Sequence, residues 1–393
     1  MPPLAVLNYS LTTALGAGRA AQVEALRAGR GGLAPQRFEH CGLEAWVGEV
    51  AGLDRPLPTQ WRSWDCRNNR LIELSLQQDG LMDAVSRLRA RYGAARIGVF
   101  IGTSTAGVQQ TERAYLLRDR NTDHLPDWFN YQTSQNAYSV ADYVRLRLGL
   151  EGVALAISTA CSSSAKVFAS ARRALAAGLC DAAVVGGADS LCLTTLYGFN
   201  ALQLVSPEPC RPADAGRRGI SIGEAAGFAL LVPAPAEAEL GLLGYGESSD
   251  AHHMSAPEPE GRGAAAAMQA ALHRAGLAAE SVDYIHLHGT ATPANDLAED
   301  HAVFRLFGAA VPASSTKGYF GHTLGAAGMV GAAVALLAIE QGFAPGSLNT
   351  QVVDPALQGR ILLEGRELKL RQVLSNAFGF GGNNCSLLFG RLP

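Results

Sequence analysis

Cys161 is the residue in this chain best placed for nucleophilic chemistry. It stands in Ser158-Thr159-Ala160-Cys161-Ser162-Ser163-Ser164, after the apolar run Val153 to Ile157 and before an Ala/Leu/Arg-rich run from Ser164 to Ala177. A strand-to-helix change through small residues predicts an elbow that leaves the sulfur accessible. The positive end of the following helix would favour thiolate and lower the thiol pKa. The ordinary alternative is a buried cysteine acting as a small hydrophobe. That reading suits Cys180, Cys192 and Cys385, which lack such a setting.

Two histidines stand in similar loops. His288 closes the run Val282 to Leu287 and opens His288-Gly289-Thr290-Ala291-Thr292-Pro293-Ala294-Asn295-Asp296. A loop past a strand end is where open α/β sheets bind ligands. His322 lies in Gly318-Tyr319-Phe320-Gly321-His322-Thr323-Leu324-Gly325-Ala326-Ala327-Gly328, a glycine-flanked loop that opens a helix. A lone histidine is usually structural. A cysteine and two imidazoles in three such loops suit acyl-thioester chemistry, with the thiolate taking the acyl group and imidazole N–H groups holding a developing enolate. Metal binding by the same three side chains would leave structural zinc short of ligands, and no metal is expected. Lys317 precedes His322 by five residues and would raise the local potential; Glu299, eleven after His288, could neutralise it or orient a histidine. Each could equally be a solvated surface charge.

Near the C-terminus, Asn376-Ala377-Phe378-Gly379-Phe380-Gly381-Gly382-Asn383-Asn384 lies between two apolar runs. Its glycines permit positive φ and close backbone approach to a ligand. Phe380 could move as a gate and offer its N–H to an oxyanion. The alternative is a glycine-rich hairpin with packed aromatics. No Gly-Lys-Ser/Thr follows, so this is not a phosphate loop.

These loops need a scaffold of strands and helices. Arg96 to Ile101, Val153 to Ile157, Ala182 to Val185 and Val282 to Leu287 read as buried strands, and Ser164 to Ala177, Gly263 to Ala275 and Leu324 to Gln341 as helices. The alternation predicts an α/β fold with buried sheets. Pro233-Ala234-Pro235-Ala236 is the best candidate boundary, giving halves 1–235 and 236–393. A faint repeat crosses it: the Cys161 elbow and the segment Ala313 to His322 each join a strand to a helix through small residues.

Of 393 residues, 48% are hydrophobic and 17% charged, with a net charge of −3, which excludes a disordered chain and gives no basic excess for nucleic acid. Seven cysteines at wide spacings, with no C-x-x-C pair, argue against a disulfide framework or a zinc ribbon and for a reducing cytosol. The start of the chain has no secretory pattern. The most apolar run, Ala326 to Ile339, is too short for a bilayer. The expectation is a cytoplasmic protein without a membrane span.

Taken together, Ser158-Thr159-Ala160-Cys161-Ser162-Ser163, His288-Gly289-Thr290-x-Thr292-Pro293-x-x-Asp296, Lys317-x-x-x-Gly321-His322-x-x-Gly325-Ala326-Ala327-Gly328 and Asn376-x-Phe378-Gly379-Phe380-Gly381-Gly382 resemble the elongating β-ketoacyl-[acyl carrier protein] synthases. The motifs occur in family order over nearly the whole chain. The resemblance implies a thiolase-like fold, two pseudo-repeated halves in a five-layered αβαβα sandwich. It implies Cys161 as acylated nucleophile, and His288 and His322 as the pair that promotes malonyl decarboxylation. Lys317 would support the site, with Glu299 helping to position it. The N–H groups of Cys161 and Phe380 would form the oxyanion hole, with Phe380 as gate between Gly379 and Gly381. Thr290 and Thr292 would hold phosphopantetheine, which arrives on the carrier, so no resident cofactor is expected. Expected partners are an acyl carrier protein and a second copy or related ketosynthase-like subunit in a dimer.

Arg211 to Ile220, Gly223 to Gly227 and Asn383 depart from the common pattern but leave the Cys–His–His set intact. Gly102 to Gly107 and Glu247 to Pro257 are more similar to synthases of aryl-polyene pathways. Two other activities fit less well. A non-catalytic chain-length subunit would lack the active cysteine, and a thioester hydrolase or simple acyltransferase would have no use for the second histidine. Acidic carriers would dock on local basic patches, with Arg62, Arg67 and Arg70 or Arg113, Arg118 and Arg120 as candidates.

Overall fold

The computed structural model describes residues 1–38, 41–234 and 238–392. The boundary drawn at 235/236 therefore lies outside the described residues. Ten strands form the framework. In the first half they are β1 (Leu4–Thr13), β2 (Ile97–Gly102), β3 (Ala154–Ile157), β4 (Ala182–Asp189) and β5 (Ala225–Pro233); in the second, β6 (Leu240–Ser249), β7 (Tyr284–His286), β8 (Pro312–Ser314), β9 (Gln372–Gly379) and β10 (Asn383–Arg391). The spatial orders are β3-β2-β4-β5-β1 and β8-β7-β9-β10-β6, the same order twice. In each half the second strand runs parallel to its two neighbours and the fifth antiparallel to both of its own. The two sets meet where β1 pairs antiparallel with β6, Leu4 opposite Leu242 and Ala5 opposite Gly241.

Two helices form the central layer. α1 (Ser163–Ala176) follows β3, and α4 (Ala327–Gln341) follows β8 through the His322 loop. They pack on each other and on strands of both halves. In the second half, α2 (Arg262–Ala275) and α3 (Pro293–Phe307) cover the outer face; in the first, Arg67–Leu76 and Ala137–Arg147 do so. The result is five layers, helix–sheet–helix–sheet–helix.

α4 is apolar all round because both faces are covered. By length and composition Leu324–Gln341 could cross a membrane, longer than the run read from sequence, but 89% of it is buried inside this fold. It is a core helix. Its residues join those of α1, β4 and β5 in the largest apolar cluster.

Candidate active site

Cys161 sits on a tight turn between β3 and α1. Ala160 takes φ of 50°, a region costly for a residue with a Cβ. The serines secure that turn: Ser162 Oγ donates to the Thr159 carbonyl at 2.9 Å, Ser163 Oγ donates to the Ala160 carbonyl at 2.5 Å, and Thr159 N–H donates to Ser163 Oγ at 2.9 Å. The expected accessible thiolate is not found in the resting site. Cys161 is 5% exposed, and burial pushes its thiol up to about 12. The Lys317 charge and the N–H groups of Phe380 and Cys161 pull it back, but desolvation outweighs them.

The β9–β10 hairpin presses against this turn. A side chain at Gly379 would put its Cβ 2.7 Å from the Thr159 carbonyl oxygen, so only glycine allows the approach. Gly381 turns the chain with φ of 77° and donates its N–H to the Met254 carbonyl at 2.8 Å. The hairpin reading holds: Phe380 is carried on a hairpin turn, its ring 5.5 Å from Phe199.

His288 and His322 face each other edge to face, ring centroids 5.2 Å apart. The Leu324 N–H donates to His322 Nδ1 at 3.2 Å, which places the ring proton on Nε2. Burial and the Lys317 charge push both imidazoles well below the ordinary histidine range, so both are neutral donors at pH 7. Among the described residues Glu299 forms no salt bridge with Lys317 and acts on it only through its charge. Its carboxylate accepts the N–H groups of His288 (2.8 Å) and Gly289 (2.7 Å) and the Asn376 amide (3.1 Å), fixing the backbone that carries His288. Burial raises this carboxyl to about 7. Lys317 is also buried and its Nζ donates to the His288 carbonyl; among the described residues no carboxylate forms a salt bridge with it.

A cavity of about 370 Å³ brings together Cys161, His288, His322, Thr290, Thr292, Gly379 and Phe380. The Thr290 and Thr292 hydroxyls lie 3.0 Å apart on its wall. Lys317, Glu299 and Gly381 stand behind that wall rather than in it. The departing segment Arg211 to Ile220 does reach the site: Ile220 lines the cavity, Ala213 N–H donates to Asp296 at 2.8 Å, and just beyond it Ser221 accepts the His322 N–H at 2.7 Å.

Sequence reasoning missed Asp189. At the end of β4 its buried carboxylate accepts from Thr103 Oγ1 (2.6 Å), Ser104 N (2.9 Å), Thr105 N (3.0 Å) and, across the junction of the halves, Gly325 N (2.6 Å). It pins the loop after β2 and the loop after His322 to one point. The only sequence signal was a lone acidic residue closing an apolar run. Arg67 and Arg70 are not free docking cations. Arg67 pairs with the fully buried Glu224, distant in sequence, at 2.5 Å, and Arg70 with Asp65, in the turn just before its own helix, at 2.7 Å. Arg118 pairs loosely with Asp123 at 3.6 Å, while Arg62, Arg113 and Arg120 are exposed.

Comparison with known proteins agrees with this geometry. Residues 71–236 match the beta-ketoacyl synthase N-terminal domain, and residues 241–351 the C-terminal domain. The chain is 38% identical over 315 residues to 3-oxoacyl-[acyl-carrier-protein] synthase 2 of Rhizobium meliloti, covering 75% of this chain and 74% of that one. It is 36% identical to Nodulation protein E of the same species, covering 75% and 76%. Among solved structures, the ketosynthase ApeO in complex with its chain length factor ApeC, from Xenorhabdus doucetiae, superposes with a TM-score of 0.91 at 36% identity, over 100% of this chain and 98% of that one. A beta-ketoacyl synthase from Burkholderia phymatum gives 0.87 at 30% identity, with full coverage of both chains. The chain belongs to the beta-ketoacyl synthase family, an acyltransferase class, and has its thiolase-like fold.

Proposed function

We propose that this protein is a β-ketoacyl-[acyl carrier protein] synthase that carries the growing acyl chain on Cys161. The observation that carries this reading is the meeting of Cys161 with two neutral imidazoles in one largely apolar cavity. In the first step the Cys161 sulfur attacks the acyl thioester of a carrier. The new S–acyl bond forms, the carrier thiol leaves, and the cysteine proton goes with it. Entry of the thioester brings polar groups against a sulfur that burial otherwise keeps protonated. Malonyl carrier then loses CO2; the electron pair of the broken C–C bond becomes an enolate held by the N–H groups of His288 and His322. The enolate carbon attacks the acyl carbonyl, whose oxyanion takes the N–H groups of Cys161 and Phe380. The C–S bond to Cys161 breaks, its thiolate takes a proton from solvent, and a chain two carbons longer leaves on the carrier.

Lys317 serves this cycle by its charge. Burial and repulsion from its ammonium disfavour an imidazolium beside it, so both histidines stay neutral and each keeps one ring N–H to donate. Thr290 and Thr292 hold the phosphopantetheine arm supplied by the carrier, and Phe380 moves to admit it. The presence of Cys161 argues against a non-catalytic chain-length subunit.

We further propose a dimer with a second ketosynthase-like chain. Tyr115, Leu116 and Leu117 are 60%, 64% and 62% exposed, and Trp128, Tyr131 and the edge-strand Leu155 also face out. Exposed large apolar side chains of this kind are what a partner chain would cover. The segments Gly102 to Gly107 and Glu247 to Pro257, with the likeness to a ketosynthase–chain length factor complex, favour a specialised aryl-polyene-type pathway. Seven free cysteines suit a cytoplasmic setting. Native mass spectrometry with and without candidate partner subunits tests the assembly. Mass spectrometry of the carrier-bound product tests the reaction: a product two carbons longer supports it, and acyl transfer without elongation contradicts it.

A further inference from the structure

The mechanism above leaves a third buried imidazole unused. His286 lies two residues before His288 on β7, is 4% exposed, and bonds Thr316 Oγ1 through Nε2 at 2.8 Å. Among the described residues its Nδ1 has no hydrogen-bond partner. Thr316 immediately precedes Lys317, whose ammonium bonds the His288 carbonyl. We propose that His286 is a positioning residue for Lys317, acting through Thr316 to seat the ammonium under the two cavity histidines. This rests on the β-ketoacyl synthase reading.

The geometry is a closed ring of chain. β7 and β8 run side by side, with His286 opposite Ser314, and the Leu287 N–H reaches the Ser314 carbonyl at 2.8 Å. Beyond the paired strands, two ties hold the diverging ends together: ring to hydroxyl between His286 and Thr316, ammonium to carbonyl between Lys317 and His288. Loosening the first tie frees the residue that makes the second. The ring itself is wedged in place. Residue 331 of α4 has no side chain, and a Cβ there would stand 2.5 Å from Ser375 Oγ and 3.1 Å from His286 Nδ1. The helix backbone thus closes the far side of the imidazole.

The chemistry of the tie suits its place. Burial and the nearby Lys317 charge push His286 down to about 3, so it is neutral and holds Thr316 without cancelling that charge. Glu299 and Asp296 act on Lys317 only at a distance, as do the Cys161 and Cys210 thiols. The field of Lys317 therefore falls on Cys161, His288 and His322, the groups that line or face the cavity.

The test measures CO2 release from malonyl carrier protein as a function of pH. The variants are His286→Leu, Thr316→Val, the double variant and His286→Gln, which retains a hydrogen-bonding amide. Each of the first two should lower release about tenfold, and the double variant no further, since both break one tie. With Lys317 displaced, the acid limb of the profile should move up toward the ordinary histidine range, a change that general loosening would not produce. His286→Gln should restore most of the rate and the original limb. Wild-type rates, additive losses, or losses without movement of the acid limb overturn the proposal. If His286→Leu does not fold, Thr316→Val, which keeps the side-chain shape and removes the hydroxyl, decides by its own rate and acid limb. A wild-type protein that releases no CO2 would instead overturn the condensing-enzyme reading.

Discussion

The two halves are built on one strand order but use their loops differently. After the second strand, the first half has Thr103, Ser104 and Thr105, and the second has His288. After the third strand come Cys161 and His322 respectively, each leading to a central helix. At the end of the fourth strand come Asp189 and the Phe378–Phe380 turn. In the first half two of the three loops bind each other, Asp189 accepting from Thr103, Ser104 and Thr105, and only Cys161 is left for the cavity. In the second half all three reach the cavity. The sulfur comes from one half; the groups that oppose its burial, Lys317 and the Phe380 N–H, come mainly from the other. A repeated scaffold thus builds one cavity at its junction, with one copy supplying the cysteine and the other the histidines, the Lys317 charge and the Phe380 turn around it.

The sharpest way to break this division is to remove the sulfur. Cys161→Ala should abolish acyl loading and cut condensation by at least about 10³-fold, while the fold survives. Next is the charge in the other half. Lys317→Met should lower malonyl decarboxylation by about 100-fold, a loss typical of removing a preorganised electrostatic group. It should also change the pH profile. Both histidines titrate below their ordinary range in the folded protein, so their neutral form persists into acid. Without Lys317 their pKa values rise, and the acid limb of the rate moves to higher pH. The same depressed values set a stability trend: below the ordinary histidine pKa of about 6.5 the unfolded chain protonates His286, His288 and His322 while the folded chain does not, and these three outweigh Glu299, raised to about 7, which acts in the opposite sense, so stability falls as pH drops through that range. Urea midpoints between neutral and mildly acidic pH measure it.

The bridge between the halves comes third. Asp189→Asn keeps the shape but loses the charge behind several hydrogen bonds, and should cost about 2–4 kcal/mol in denaturant unfolding. Condensation should fall with it, because Gly325 and the His322 loop lose their anchor. The smallest effect is at the Phe380 turn, the proposed gate. Gly381→Ala forces a side chain into a left-handed backbone and should cost about 1–2 kcal/mol. It should slow turnover more than acyl loading, as stopped-flow against steady-state rates would show.

Much of this was legible in the sequence, for a physical reason. Strands such as Ile97–Gly102 and Ala182–Asp189 and helices such as Arg262–Ala275 announce themselves through local apolar runs, within a residue or a few at their ends. The glycine turn at Phe380–Gly382 was visible because few other residues tolerate such a backbone. Pairing across the chain was not. Nothing near Leu4 signals Leu242, and nothing near Asp189 signals Gly325 or Thr103. The Cys161 pKa was misjudged because a helix start is a sequence feature, whereas desolvation depends on everything folded around it. Of the two roles open to Glu299, neutralising Lys317 or orienting a histidine, the structure supports the second, and the sequence could not choose between them because the backbone N–H groups that bind the carboxylate come together only in the fold.

The central claim is that Cys161 holds the acyl chain that the second half then extends. The most direct test is intact-protein mass after incubation with acyl carrier proteins, followed by addition of malonyl carrier. The account predicts one acyl adduct, mapped to Cys161 and absent from Cys161→Ala, that disappears on malonyl addition as a carrier-bound product two carbons longer appears. An adduct that persists in Cys161→Ala, or one that malonyl carrier discharges without chain extension, would contradict it.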